Sequence, residues 1–127
     1  MTKLLLIGAG GFIGSVLRYL VSGSAQALSQ SLVFPYGTLA VNILGCLWIG
    51  FLSELLDARA LIGTDTRAFL VVGILGGFTT FSAFGIETMN LIREGEAALA
   101  VMNVGAQVFL GLGAVWLGYS LASVIWR

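Results

Sequence analysis

The amino-acid sequence predicts an all-α integral membrane protein with four transmembrane helices per chain. Three observations carry that prediction. Of the 127 residues, 58% are apolar and 9% are charged, whereas soluble domains carry about a quarter charged residues. The six basic and six acidic residues fall mostly between four long apolar runs. Those runs do not alternate apolar with polar residues, as the strands of a membrane barrel must.

The first run covers about residues 4–21 and is interrupted only by Arg18. It resembles a secretory leader in composition, but no Ala-x-Ala-like cleavage site follows and three further runs do, so it is expected to remain as a helix. A stretch of small and polar residues from Ser22 to Ser31 then leads to Pro35 and reads as a connection. The second helix is expected over about 36–53, closed by Glu54, Asp57, Arg59, Asp65 and Arg67. The third spans about 68–92 with Glu87 inside it, and the fourth about 97–125. Each meets or approaches the roughly 20 helical residues that cross a hydrocarbon core about 30 Å thick. Tyr19 and Trp126 lie near run ends, where amphipathic rings favour the membrane interface. The chain forms a single transmembrane domain, with no length left for a soluble module.

With four spans, Lys3, Arg59, Arg67 and Arg127 share one side and Arg18 and Arg93 the other. Positive-inside logic orients so even a distribution only weakly, which permits insertion in both directions. The absence of a basic run argues against nucleic acid as a partner. One cysteine, Cys46, and no histidine leave no disulfide, no zinc site and no imidazole for acid-base chemistry. Gly8-Ala9-Gly10 begins like a dinucleotide fingerprint, but Ile13 stands where its third glycine belongs.

Gly10 with Gly14, Gly73 with Gly77, and Gly105, Gly111, Gly113 and Gly118 on the last helix suit close helix packing in lipid. The segment from Gly76 to Phe84 asks for more. Two glycines followed by Thr79, Thr80 and Ser82 weaken a helix at bilayer depth. A broken backbone there survives only where its freed groups find partners in protein, water or an ion. The competing reading is a glycine notch with the hydroxyls bonded back to their own helix. Phe81 and Phe84 share a face at i, i+3. They are either lipid-facing or line a passage, where the positive ring edge can meet an anion. Thr38 with Asn42, and Asn103 with Gln107, form i, i+4 polar tracks on the second and fourth helices. Such amides often join helices, yet they also supply neutral donors to replace the water of a small anion without trapping it. Arg18 and Glu87 are the charges within spans and are functional candidates on that account, although Arg18 has a short reach to the interface.

Gly10-Gly11-x-x-Gly14-x-x-x-Arg18-Tyr19, Gly37-Thr38-Leu39-x-x-Asn42, Gly76-Gly77-Phe78-Thr79-Thr80-Phe81-Ser82-x-Phe84 and Glu87 together resemble the Fluc (CrcB) fluoride channels over essentially the whole chain. The resemblance implies an antiparallel, dual-topology homodimer in the cell (inner) membrane that exports fluoride passively through two pores. It also implies a structural sodium ion at the dimer centre, held by the backbone carbonyls of Gly76 and Thr79. By the same resemblance, Phe81 and Phe84 form the phenylalanine box, Asn42 is the pore asparagine, and Asn103 and Gln107 belong to a polar track. Thr38, Thr80 and Ser82 join them along the pore, with Arg18 and Glu87 in the vestibule. Ala83 departs from an expected hydroxyl, Gln107 is bulkier than the usual track residue, and Gly111 adds no side chain to it. The main alternative, a small dual-topology drug exporter, wants an acid in the first helix, where this chain has Arg18. A non-transporting assembly subunit leaves the Thr-Thr-Phe-Ser segment without purpose. An intramembrane enzyme lacks a base for Ser82 other than the distant Glu87.

Overall fold

The structure, a computed structural model, describes residues 1–57 and 62–125. Every regular element among them is helical: α1 (Thr2–Ser29), α2 (Tyr36–Asp57), α3 (residues 64–78), α4 (Phe81–Arg93) and α5 (Ala97–Ile125). α3 and α4 are two halves of one span, Thr64–Arg93, so the described residues contain four helical spans long and apolar enough to cross a bilayer. The break expected in the third helix is present, between Phe78 and Phe81. Arg59, Trp126 and Arg127 lie outside the described residues.

The spans run longer than the apolar runs suggest. α1 continues to Ser29 instead of stopping near Val21, because Ser22, Gly23 and Ser24 each cost a helix at most about 1 kcal/mol and do not stop it. At 28 residues and 1.5 Å per residue it is about 42 Å long, so Tyr19 sits well inside the helix rather than at its end. The stop comes at Gln30, which turns left-handed at φ 54° and donates its N–H to Ala27 O. One side chain then organises the connection. Gln26 Nε2 donates to Ser31 O at 2.6 Å and Phe34 O at 3.1 Å, and its Oε1 accepts from Gly37 N at 3.0 Å. Pro35, which has no N–H to lose, precedes α2 and gives its carbonyl to Leu39 N at 3.2 Å. α2 reaches Asp57 rather than residue 53, and α3 starts at Thr64 rather than 68. Within α3, Ala68–Leu75 form a π-helix before an α turn over Gly76–Phe78. Wide turns of this kind are rare and concentrate at functional sites.

Glycines set the packing. α1 lies against α3 at these glycines: a Cβ on Gly10 would stand 2.9 Å from Gly73 Cα, one on Gly14 2.9 Å from Phe78 N, and one on Gly77 2.6 Å from Gly11 O. α2 pairs chiefly with α5, where Gly50 meets the Val115 carbonyl and Gly118 the Leu47 carbonyl. Two of the α5 glycines do not share this role, since a Cβ on Gly105 or Gly113 would meet nothing within 4 Å. Lys3 Nζ lies 4.0 Å from Asp65 Oδ1, joining the start of α1 to the start of α3 at one end of the bundle.

Candidate functional site

The site is organised around the two residues that interrupt the third span. Thr79 (φ −84°, ψ 156°) and Thr80 (φ −151°, ψ 109°) are extended, between the end of α3 and the start of α4. Thr79 still closes α3: its N–H and its Oγ1 both donate to Leu75 O at 3.0 Å. The break is present, and of the hydroxyls in the alternative notch reading only that of Thr79 is bonded back to its own helix. In an unbroken helix Thr80 N–H would reach Gly76 O. Here it donates to Asn42 Oδ1 at 2.8 Å, while Asn42 Nδ2 donates to Thr80 O at 3.1 Å. One amide from α2 thus takes both backbone groups of Thr80, as a neighbouring strand would. The second Nδ2 hydrogen goes to Gln107 Oε1 on α5 at 3.1 Å. Thr80 also caps α4, its Oγ1 accepting from Ala83 N at 3.2 Å and lying 3.3 Å from Ser82 Oγ.

Two recesses meet at Thr80. The larger, about 940 Å³, is lined by Arg18, Thr38, Thr80, Ser82 and Glu87, with Gln26 farther along it. The other is a slot of about 460 Å³ bounded by Asn42, Gly76, Thr79, Phe81, Phe84 and Gln107. In the slot the Phe81 and Phe84 rings lie 5.3 Å apart and tilted by 59°. Phe81 is 82% exposed, outside the packing of its own chain. In the larger recess Thr38 Oγ1 donates to Glu87 Oε1 at 2.6 Å. Arg18 turns inward to the break, its Nη1 donating to Thr79 O at 3.4 Å, instead of reaching for the interface.

The structure thus gathers eleven of the twelve residues singled out in the sequence around these two recesses. Asn103 is the exception. It is completely buried and donates from Nδ2 to Thr88 Oγ1 at 2.9 Å, and Thr88 in turn donates to Phe84 O at 2.8 Å. Asn103 lines neither recess, and it ties α5 to α4 behind Phe84. Thr88 escaped the sequence reading, although it stands one turn beyond Phe84. So did Gly45, whose missing side chain leaves room for Thr79 Cγ2, and Gln26. Gly45 is signalled only by its i+3 spacing from Asn42. Glu87 Oε2, Asn103 Oδ1 and Gln107 Nε2 are buried without a hydrogen-bond partner in the chain. Among the described residues no three His, Cys, Asp or Glu side chains gather as a metal site.

A bundle of four apolar spans, with one broken where a polar recess meets an aromatic slot, defines a small polytopic membrane protein. A family profile described as "CrcB-like protein, Camphor Resistance (CrcB)" matches residues 5–119. A protein of Methylobacillus flagellatus named "Fluoride-specific ion channel FluC" is 42% identical, over 98% of this chain and 97% of its own length. Proteins with the same name from Elusimicrobium minutum (44% identical, 98% of this chain and 97% of that one) and Chlorobium chlorochromatii (47%, 91% and 88%) are similar throughout. The chain belongs to the CrcB family and is a multi-pass membrane protein.

Proposed function

We propose that the chain is a fluoride-selective channel that lets the ion leave the cell passively, and that two antiparallel copies in the inner membrane form two pores. The observation that carries this reading is the Asn42 clamp on Thr80, at the point where the polar recess and the phenylalanine slot meet. The relatives' name, a fluoride-specific ion channel, supports the identity of the ion.

Fluoride is small and strongly hydrated, so a pathway must replace its water with hydrogen-bond donors. Arg18 in the larger recess raises the local anion concentration. The hydroxyls of Thr80 and Ser82, 3.3 Å apart, then offer neutral donors. The edges of Phe81 and Phe84 continue the path through the positive rim of each ring. None of these groups past Arg18 carries a full charge, so the ion is held weakly enough to leave. Asn42 has both Nδ2 hydrogens committed and acts by fixing Thr80. Gln107 keeps an uncommitted donor, Nε2, beside the slot. Thr38 holds Glu87 to one side of the recess.

A second copy is supported by the exposure of Phe81, which has no wall opposite it in one chain, and by the open glycines of α5. The even distribution of Lys3 and Arg67 against Arg18 and Arg93 agrees with insertion in both directions. A sodium ion between the two copies fits the donor set. The Gly76 carbonyl loses its helical N–H partner to Asn42, and the Thr79 carbonyl lies beyond the last turn of α3. Gly76 O and Thr79 O of each copy would hold it, since freed backbone carbonyls suit a hard monovalent cation. The ion would supply the positive charge that joins the two breaks. The drug-exporter alternative lacks support: the acid it needs on α1 is replaced by Arg18, and Glu87 is engaged by Thr38.

The test is efflux from liposomes holding the purified protein, read with a fluoride electrode and repeated with chloride. Fast fluoride release with negligible chloride release is expected. No release of either ion from protein that is dimeric refutes the channel reading.

A further inference from the structure

Arg18 stands where one of the proposed sodium ligands is. Its Nη1 donates to Thr79 O at 3.4 Å, reaching across from α1 to the end of α3. The neighbouring interactions explain why the guanidinium is drawn there. In an unbroken helix Ala83 N–H would reach Thr79 O, but here it donates to Thr80 Oγ1 at 3.2 Å. Thr79 O is left as an acceptor at bilayer depth, where an unsatisfied carbonyl is costly. Thr80 O, by contrast, is already taken by Asn42. The guanidinium is a cation, so the contact brings positive charge to that oxygen. Among the described residues no carboxylate is within salt-bridge distance of it, and the Glu87 that shares its recess is bonded to Thr38.

From this geometry we infer that Arg18 is a built-in substitute for the sodium ion. In a single chain it satisfies Thr79 O, and its charge opposes binding of a cation to the same oxygen. Arg18 thereby sets how much sodium the assembled protein requires. The inference rests on the sodium reading above and adds to it a residue that tunes the affinity. Two unit charges sharing one oxygen repel strongly even at an effective dielectric constant of about 20. Removing one of them is expected to tighten sodium binding by about tenfold or more.

The experiment follows the thermal stability of the purified dimer in detergent as sodium replaces N-methyl-D-glucamine at constant ionic strength. The midpoint of the sodium-dependent stabilisation is compared for wild type, Arg18→Gln and Arg18→Lys. The Gln variant is expected to reach half-stabilisation at about one tenth of the wild-type sodium concentration or less, while the Lys variant stays near wild type. An unchanged or higher sodium midpoint in Arg18→Gln overturns the inference while leaving the sodium reading intact. Wild type with no sodium response at all overturns the sodium reading and this inference with it. A second measurement does not depend on any variant folding: the side-chain 15N signals of Arg18 in the wild-type protein, titrated with sodium. They are expected to shift with the same midpoint as the stabilisation, and signals that stay fixed through that titration overturn the inference.

Discussion

Asn42→Ala removes one side chain and leaves two backbone groups stranded. Thr80 N–H loses its acceptor at 2.8 Å and Thr80 O its donor at 3.1 Å, while Gln107 Oε1 loses a donor at 3.1 Å. Stranding a buried polar group costs about 1–3 kcal/mol, so the two backbone groups together cost about 2–6 kcal/mol. Hydrogen bonds measured within membranes average only about 0.6 kcal/mol, because alternative partners are found. Here such a partner is available. Thr80 N–H can turn back to Gly76 O, which closes the helix and abolishes the break. Even the lower end of the range disfavours the native break by a factor of about 30, and 3 kcal/mol by about 150. Fluoride efflux is therefore expected to fall by about thirtyfold or more. The bundle itself should survive, because the α1–α3 and α2–α5 packing rests on close glycine contacts at Gly10, Gly14, Gly50 and Gly118, and residue 42 adds to it only its bond to Gln107. The assay is electrode-recorded efflux, with dimer content checked by size-exclusion chromatography. Wild-type efflux from Asn42→Ala would refute the claim that this clamp maintains the conducting break.

Phe81→Ile keeps apolar bulk but removes the ring edge, and fluoride efflux is expected to be abolished with the dimer retained. Efflux at the wild-type rate would show that the pore lies elsewhere. Gly14→Val places a branched side chain against the backbone of Ile74 and Phe78, with its Cβ 2.9 Å from Phe78 N. It should lower the melting temperature sharply or prevent accumulation in the membrane, whereas Gly8→Ala, with nothing within 4 Å, should leave both unchanged. Gln26→Leu forfeits three hydrogen bonds in the α1–α2 connection. It is expected to speed proteolytic cleavage near residues 30–35, measured against the wild-type digestion rate. Tags at either terminus should each be found on both sides of the membrane if insertion is dual, and a single fixed orientation would refute that expectation.

Four helices and the break within the third were legible because both follow from composition: apolar runs give the spans, and Gly-Gly-x-Thr-Thr weakens the helix at a definable point. The close approach of α1 at Gly10 and Gly14 to α3 is equally a property of small residues four apart. Helix ends were harder to read, since α1 stops at a left-handed Gln30 rather than at a glycine, and Gln26 shapes the connection that follows. The polar tracks divide for a related reason. Periodicity places Asn103 and Gln107 on one face of α5, yet a one-turn offset puts Gln107 beside the slot and Asn103 behind Phe84, on Thr88. No sequence pattern announces the π-helix of Ala68–Leu75, which lies against α1. Nor does the sequence say that Arg18 points inward. That depends on a carbonyl freed sixty-one residues later.

The extended pair Thr79–Thr80 also has an electrostatic consequence. α3 ends and α4 begins within two residues of each other, and the peptide dipoles of both point along the same span. The end of α3 therefore presents a negative pole, and the start of α4 a positive one, each equivalent to roughly half an elementary charge. An ordinary transmembrane helix keeps its poles at the two water interfaces, where counter-ions and solvent neutralise them. This one creates a second pair in the interior, where that neutralisation is weak. The protein thus places two opposite poles side by side within the span, with Arg18 on the Thr79 carbonyl at the negative one.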